Sequence, residues 1–330
     1  MITERLGAEE VGRAAEILRG GGLVAFPTET VYGLGANALD AQAVARIFAA
    51  KERPDWDPLI VHVSGREMLG RVAEVTVEAE RLMEAFWPGP LTLLLRRTAE
   101  VPDAVTAGRP LVGVRMPAHE LARALIEAAG VPVAAPSANR FGRTSPTTAA
   151  HVLQDLDGRI DAVLDGGAAE VGVESTVVDP GRRPMVVYRP GAVTAAMLES
   201  VGGPVEMFVS GGSAERPEAL PSPGVGMRHY APRARLELVG SEEELRGKVR
   251  ELAEAGERVG VMLPGGWSAE GAEVFRWGRV GDAAGLAAGL FAGMRELDGR
   301  GVEAIVCPLP EGEGLGAAIR DRLEKAARAR

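Results

Sequence analysis

Apolar residues along residues 1–202 follow two patterns, a helical periodicity and short uninterrupted runs. Positions three and four apart predict helices over 8–19, 40–50, 76–86, 119–130 and 147–156. Short continuous apolar runs predict buried strands at 23–28, 59–63, 91–95, 111–116 and 131–137, with three more between 162 and 191. These elements predict an α/β domain. Because it has too many adjacent short strands for a simple doubly wound repeat, we expect a mixed sheet.

The pattern changes after residue 202. Residues 203–235 are rich in glycine, proline and serine, and no helical or strand period there exceeds a few residues. A loop of this length is typical of a linker or a functional lid. From 236 onward strands and helices alternate again, which predicts a small parallel α/β domain. We therefore expect a domain at 1–202, a linker at 203–235 and a second domain at 236–330.

Composition and charge narrow the function classes. The 330 residues carry a net charge of −9, which excludes a uniformly basic nucleic-acid-coating protein but leaves room for a local basic groove. A single cysteine, Cys307, excludes a disulfide framework within the chain and a cysteine-rich metal site. No apolar run is typical of a signal peptide or long enough to span a bilayer. We therefore expect a cytoplasmic protein without membrane contact.

The common signatures of nucleophiles and metal sites are missing from the sequence. We find no Walker A loop, no G-x-S-x-G elbow and no paired-histidine zinc motif. Any chemistry must therefore use arginine, lysine, hydroxyl, carboxylate and backbone groups. Such groups crowd beside predicted strands in five segments: PTETVYGLGANA at 27–38, KERPDWDPLIVH at 51–62, VGVRMPAH at 112–119, APSANRFGRTSPTT at 135–148 and GVESTVVD…VVYRPG at 172–191.

Each segment also has an ordinary structural interpretation. Lys51 and Arg53 are suited to holding a polyanion, and equally to pairing with Asp55 and Asp57 on the surface. Arg115 lies inside an apolar strand and needs a partner, because an unpaired buried charge is costly. That partner is either a protein carboxylate or a substrate carboxylate.

The remaining polar positions are similarly open. Residues 27–38 are either a strand-to-helix turn or a ligand-binding edge of the sheet. His62 lies in a predicted strand, where a histidine is more often a core residue than a catalyst. The loop at 135–148 offers hydroxyls, amides and a helix N-terminus to a phosphate. Alternatively, Ser145 and Pro146 serve as the N-cap and first residue of the next helix.

Seven strings, taken in order, resemble one family closely. They are PTETVYGLGANA, K-E-R-P…D-P-L-I-V-H, W-P-G-P-L-T, V-G-V-R-M-P, P-S-A-N…S-P-T, G-V-E-S-T-V-V-D and Y-R-P-G. The family is that of the YrdC-like threonylcarbamoyl-AMP synthases in their long two-domain form, whose linker the string SPGVGMRHYAP also resembles. The resemblance covers about 10–235 and implies an N-terminal twisted mixed-sheet α/β domain, a long linker and a small C-terminal Rossmann-like parallel α/β domain.

The resemblance also implies a reaction. L-Threonine, bicarbonate or CO2, and ATP give L-threonylcarbamoyladenylate and pyrophosphate. The product feeds N6-threonylcarbamoyladenosine formation at position 37 of tRNAs that read ANN codons, completed by a partner threonylcarbamoyl transferase machinery. Mg²⁺ is expected with ATP, and no metal ligand is expected from the protein. Such a reaction depends on positioning and on stabilising phosphate charge.

Site residues follow from the resemblance position by position. The threonine pocket corresponds to Thr30, His62, Arg115, Ala135 and Ser175. The ATP-binding set corresponds to Lys51, Arg53, Asp57, Leu111 (through its backbone), Ser137, Asn139, Ser145, Arg189 and Tyr230. Lys51, Arg53 and Arg115 would position the reactants, with Arg115 clamping the amino-acid carboxylate. Because Tyr230 lies in the linker, the linker would fold over the site as a lid.

Two positions depart from the family pattern. Asp57 stands where the family usually has asparagine, and a negative charge beside a triphosphate is unfavourable unless it faces a metal or a hydroxyl. Leu111 stands where many members have threonine, which removes a hydroxyl.

Two rival functions stay open at this point. One is a double-stranded-RNA-binding module without catalysis, which 20 basic against 26 acidic side chains in residues 1–200 disfavour. The other is a carbamoyltransferase of the hydrogenase-maturation type, whose cysteine-rich zinc motifs are missing here. In the C-terminal domain, GEGLGAAIRDRL at 312–323 suits helix–strand packing better than a phosphate loop. We expect that domain to restrain the linker or a partner contact.

Overall fold

A computed structural model describes residues 2–209, 222 and 230–328. The chain divides into two compact units. The first comprises Met1–Phe141, Pro146–Glu170 and Glu174–Gly226, and the second comprises Gly142–Ser145, Val171–Val173 and Met227–Arg330. Most of the expected linker, including the SPGVGMRHYAP string apart from Ser222 and residues 230–232, lies outside the described residues.

The described part of the first unit alternates helices with short strands. The helices are α1 (Val11–Arg19), α2 (Ala41–Lys51), α3 (Arg66–Val72), α4 (Val77–Phe86), α5 (Asp103–Thr106), α6 (Glu120–Ala129), α7 (Ala149–Leu156) and α8 (Ala195–Gly202). The strands are β1 (Glu4–Leu6), β2 (Val24–Phe26), β3 (Gly33–Asn37), β4 (Ile60–His62), β5 (Ala73–Glu74), β6 (Leu91–Arg97), β7 (Leu111–Arg115), β8 (Val133–Ala134), β9 (Ala162–Leu164), β10 (Thr176–Asp179), β11 (Met185–Arg189) and β12 (Val205–Met207).

The strands form one mixed sheet, as the sequence predicts. Its order is β1-β9-β2-β3-β8-β4-β7-β6-β10-β11-β12, with β5 beside β6. Side chains alternate across each strand, so Ala25 and Phe26 of β2 belong to different apolar clusters. One cluster contains α1 and α6 through Leu18 and Leu125, and the other contains α2 through Ile47. The sheet is thus packed on both faces, which holds the strand ends in place.

Helix α2 shows how local sequence places a functional side chain. Asp40 caps the helix, because its carboxylate accepts hydrogen bonds from the backbone N–H groups of Gln42 and Ala43. The helix ends at Lys51, and Glu52 then adopts a left-handed conformation with φ of 55°. The cap at the first turn and the left-handed residue after the last turn fix the two ends of the helix, and thereby the position of Lys51.

Helix α7 begins later than the sequence predicts, so the expectation that Ser145 caps it is wrong. The carbonyl of Pro146 instead accepts a hydrogen bond from the N–H of Tyr32 (2.9 Å), which holds this segment extended. Thr148 is the N-cap, and its hydroxyl accepts a hydrogen bond from the N–H of His151. The strand predicted over 131–137 is likewise reduced to β8, which lies between two prolines that cannot donate to a ladder.

The second unit contains the expected small parallel α/β domain. Its elements are β13 (Arg235–Val239), α9 (Glu242–Glu254), β14 (Val259–Gly265), β15 (Glu273–Arg279), α10 (Ala283–Gly299), β16 (Ala304–Pro308) and α11 (Leu315–Ala327). The four strands pair in parallel in the order β13-β16-β14-β15. Strand β15 was not predicted, because charged residues and a glycine interrupt its apolar positions. No helix in the described ranges is long and apolar enough to cross a membrane.

Candidate active site

One edge of the large sheet collects polar side chains from four neighbouring strands. His62 ends β4 and lies beside Arg115, which ends the parallel strand β7. The antiparallel strand β6 begins there, so Thr92 lies close to the end of β7. Ser175 immediately precedes β10, which runs parallel to β6. Strand order therefore gathers residues that are far apart in the chain.

Arg115 is buried and contacts three groups. Its Nη1 donates to the hydroxyl of Thr30 (2.9 Å), and its Nε donates to the carbonyl of Gly89 (3.2 Å). Its Nη2 lies 2.7 Å from Oε1 of Glu29, and the two side chains are 4% and 8% exposed. Of the two partners that the sequence left open for Arg115, a protein carboxylate is present. The short string PTET contains this carboxylate, but nothing in the sequence pairs it with Arg115.

The Arg115–Glu29 ion pair is close, but its hydrogen-bond geometry is poor. Backbone N–H groups of Ala118 and Glu29 also stabilise the Glu29 carboxylate. Within the described residues, Nδ1 of His62 is buried without a hydrogen-bond partner, and because buried polar atoms are normally satisfied, it is available to a polar ligand.

The ionisation states in this cluster follow from burial and charge. Burial is the largest single effect on Glu29 and raises its pKa, but the charge of Arg115, together with hydrogen bonds from Arg115 and from the backbone of Ala118 and Glu29, holds that pKa below its usual value. Burial, together with the nearby charge of Arg115, lowers the pKa of His62 to about 3. At neutral pH the cluster therefore holds a carboxylate, a guanidinium and a neutral imidazole.

Ser175 belongs to a second group of contacts. Its hydroxyl lies 2.8 Å from that of Thr92 and accepts a hydrogen bond from Nη2 of Arg189 (3.1 Å). Nε of Arg189 donates to the carbonyl of Ser175 (2.9 Å). Thr92 is part of the W-P-G-P-L-T string, yet sequence reasoning assigned it no role. Ala135 is buried, and its N–H donates to the carbonyl of Ile60 (2.8 Å).

The cations of the KERP segment are also buried. Nη2 of Arg53 lies 2.9 Å from Oδ2 of Asp57, with the two side chains 6% and 0% exposed. Nζ of Lys51 donates to the carbonyls of Ser137 and Asn139. The predicted pairing of Arg53 with Asp57 is therefore present, but it is internal and not on the surface.

Asp57 connects the KERP cations, Lys51 and Arg53, with the Arg189 that contacts Ser175. Burial raises the pKa of Asp57, while the charges of Arg53, Lys51 and Arg189 oppose that rise. All three cations therefore lie close enough to act on one carboxylate, and Arg53 pairs with it directly. Leu111 lies elsewhere. It begins β7 whereas Arg115 ends it, so roughly 13 Å separate their Cα atoms at about 3.3 Å per residue.

Ser145 and Tyr230 belong to the second unit. Ser145 is fully buried, and its carbonyl accepts a long hydrogen bond from Nε of Arg295 (3.4 Å). Tyr230 is 4% exposed and has φ of 68°. Its ring stacks on Phe291 with centroids 5.8 Å apart, and the guanidinium carbon of Arg322 lies 5.2 Å from the ring centroid. Helices α10 and α11 thus hold Tyr230 in one orientation.

Two family profiles together cover nearly the whole chain. One, described as "Telomere recombination", matches residues 16–191, and the other, described as "Threonylcarbamoyl-AMP synthase, C-terminal domain", matches residues 193–328. They define a two-domain protein whose N-terminal part is of the YrdC-like class.

Relatives with the same name match along their full length. The threonylcarbamoyl-AMP synthase of Pyrococcus abyssi is 45% identical, covering 98% of this chain and 96% of the relative. That of Bacillus subtilis is 43% identical, covering 99% and 96%. The structure of P. abyssi Sua5 complexed with L-threonine matches with a TM-score of 0.91 and 42% identity, covering 99% of this chain and 98% of that one. The chain belongs to the threonylcarbamoyl-AMP synthase family, as its motifs predict.

Proposed function

We propose that this protein is an L-threonylcarbamoyladenylate synthase. It joins L-threonine, bicarbonate or CO2, and ATP, and it releases pyrophosphate. The observation that supports this most is a set of four cations with little-exposed side chains, in which Lys51, Arg53 and Arg189 act on Asp57, Arg189 contacts Ser175, and Arg115 lies with Thr30 at the end of β7. Such a site suits anionic substrates. The same-named relatives favour this function over the double-stranded-RNA-binding module.

The threonine subsite lies around Arg115. The Arg115 guanidinium is the donor for the substrate carboxylate, and Thr30 keeps it in place through Nη1. Nδ1 of the neutral His62 is available to the threonine hydroxyl. Ser175 closes the pocket on the β10 side, and the methyl group of Ala135 forms its wall.

The nucleotide subsite lies around Asp57, where Lys51, Arg53 and Arg189 meet. The substrate is ATP with Mg²⁺, which phosphate oxygens bind readily, and the cations stabilise the charge on the triphosphate. By the motif resemblance, the same nucleotide contacts the loop of Ser137 and Asn139, the backbone of Leu111, and Ser145 and Tyr230. The linker at 203–235, between domains 1–202 and 236–330, would then act as the lid.

The reaction makes and breaks few bonds. The threonine nitrogen bonds to the carbon of CO2, two N–H protons leave, and a carbamate forms. A carbamate oxygen then attacks the α-phosphorus of ATP while the bond to the bridging oxygen breaks, and pyrophosphate departs. Holding the two substrates side by side supplies most of the acceleration. The product passes to a threonylcarbamoyl transferase machinery that modifies tRNA, with a weak direct tRNA contact, in the cytoplasm.

Pyrophosphate release from ATP and bicarbonate, with and without L-threonine, tests this function. We expect release to depend on threonine. Arg115→Lys keeps the positive charge but loses the planar guanidinium that can bind a carboxylate through two N–H groups. It should lower kcat/KM for threonine about 100-fold and leave the KM for ATP within about twofold. The matched control is Arg96→Lys, at an exposed arginine of β6 that pairs with Glu74. Threonine-independent release, or none from the folded protein, contradicts the proposal.

A further inference from the structure

Glu29 has no role in the substrate sites assigned above, yet it is the carboxylate nearest their amino-acid clamp. It lies three residues beyond the end of β2, immediately before Thr30. Its side chain is 8% exposed, and Oε1 lies 2.7 Å from Nη2 of Arg115. The charge of Arg115 and backbone N–H groups of Ala118 and Glu29 stabilise the carboxylate. A carboxylate offers about four lone-pair sites, so this buried group can accept a further donor from a ligand.

An α-amino acid is the ligand that matches this arrangement. The carboxylate and the ammonium of an α-amino acid are attached to the same carbon. They can therefore reach two opposite charges that lie side by side, as Arg115 and Glu29 do. A substrate carboxylate on the Arg115 guanidinium places the ammonium within reach of Glu29, because Glu29 lies 2.7 Å from the same guanidinium. The titratable and charged groups that face Glu29 in the described structure are Arg115 from β7 and the neutral His62 from β4.

We propose that Glu29 binds the α-ammonium of threonine and accepts its proton, which makes the nitrogen nucleophilic towards CO2. The proposal rests on the function proposed above. The ammonium N–H bond breaks and its proton passes to a Glu29 oxygen. The freed lone pair bonds to the carbon of CO2, one C=O electron pair moves to oxygen, and the second N–H proton leaves to water.

Substrate binding itself prepares Glu29 for this transfer. In the ligand-free site Arg115 and backbone hydrogen bonds together keep the pKa of Glu29 low, against the effect of burial. When the substrate carboxylate compensates Arg115, the largest of these opposing effects weakens, and the pKa of Glu29 rises. A buried ammonium–carboxylate pair then gains by becoming an amine and an acid, because both charges disappear. The base becomes effective only when the amino acid is in place.

A comparison of two ligands isolates the role of Glu29. L-Threonine and (2S,3R)-2,3-dihydroxybutanoate share the carboxylate and the 3-hydroxyl, but only threonine carries the ammonium. Titration calorimetry should show that Glu29→Gln weakens L-threonine about tenfold or more and leaves the hydroxy acid within about twofold. Glu80→Gln, at a carboxylate that pairs with Arg66 on the surface, is the matched control and should change neither ligand. Equal weakening of both ligands, or of neither, overturns the proposal.

Turnover supplies the second readout. Glu29→Gln should lower kcat for threonine-dependent pyrophosphate release about 100-fold, and its rate should rise about tenfold per pH unit below the pKa of the substrate ammonium, because hydroxide replaces the missing base. A rate for the Glu29→Gln variant with the wild-type magnitude and pH profile overturns the proposal.

A shortened carboxylate covers the case in which the amide variant does not fold. Glu29→Asp should keep the preference for threonine over the hydroxy acid while lowering kcat, and loss of that preference overturns the proposal. Different results would contradict the synthase function and the role of Glu29. Wild-type protein that binds threonine with the expected Glu29 dependence but releases no pyrophosphate contradicts the synthase function and not the ammonium site.

Discussion

Asp57 is the residue at which this chain differs most informatively from its family pattern. Its carboxylate is fully buried and lies 2.9 Å from Nη2 of Arg53. The charges of Lys51 and Arg189 also act on it. In the proposed nucleotide subsite, Asp57 therefore offsets part of the positive charge available to the triphosphate.

Replacing that carboxylate by its amide should strengthen ATP binding. In Asp57→Asn one negative charge beside Arg53 disappears, while the size of the side chain is kept. We expect the KM for ATP to fall about fivefold, roughly 1 kcal/mol, with the KM for threonine unchanged. Asp55→Asn, two residues away on the exposed side of the same loop, is the control. A higher KM for ATP would show that Asp57 faces the metal or a hydroxyl of the nucleotide.

His62 makes a prediction about acid stability. Its pKa falls from 6.5 to about 3 on folding, so between those values the unfolded chain binds a proton that the folded protein does not. Stability is therefore lost as pH falls from 6.5 towards 3, by at most about 1.4 kcal/mol per pH unit. Urea unfolding between pH 6 and 4.5 should show a steeper loss of stability in the wild type than in His62→Gln, because the other titrating groups are common to both proteins. Parallel curves for the two proteins would contradict the buried neutral state.

At the scale of elements, chain order and local pattern were predictable and long-range pairing was not. The helix over 40–50 and its Asp40 cap follow from local spacing, and the structure confirms both. The contact between Glu29 and Arg115 joins residues 86 positions apart. It depends on the end of β7 meeting the turn after β2, which no local signal encodes. The site's residue types were visible in the sequence, whereas their partners required the strand order.

The cap of α2 should matter for stability and not for catalysis. Asp40→Ala leaves the N–H groups of Gln42 and Ala43 without their acceptor, which costs about 1 kcal/mol. Thr194→Ala removes the equivalent acceptor at α8 and serves as a matched second cap. Urea unfolding should show similar losses for both variants, with the KM for ATP unchanged. A raised KM for ATP in Asp40→Ala alone would show that the cap also governs Lys51 at the far end of the helix.

At the scale of the whole molecule, the proposed substrate-binding residues are distributed over both units. The first carries the buried cations and the threonine subsite, and the second holds Tyr230 between Phe291 and Arg322. The sequence predicted a C-terminal domain of the right type but gave no reason for its presence. The packing of Tyr230 suggests one, because a tyrosine in a left-handed conformation needs surrounding structure to keep it there.

Loosening that packing should affect the nucleotide alone. Phe291→Leu removes an aromatic pair worth about 0.5–1.5 kcal/mol, so we expect the KM for ATP to rise about threefold to tenfold with the KM for threonine unchanged. Phe275→Leu, at the side chain facing Gly293 of the same helix α10, is the control. Equal effects of the two variants on the KM for ATP would contradict a specific role for Tyr230.

The central claim is that threonine, a one-carbon unit and ATP are joined in a single product. Purified protein should be incubated with ¹³C-bicarbonate, L-threonine and ATP, and the nucleotides should be analysed by rapid mass spectrometry. We predict an adenylate that carries both the threonyl group and one ¹³C atom, formed together with pyrophosphate. An unlabelled threonyl adenylate, or pyrophosphate release without a labelled adenylate, would contradict the proposed reaction.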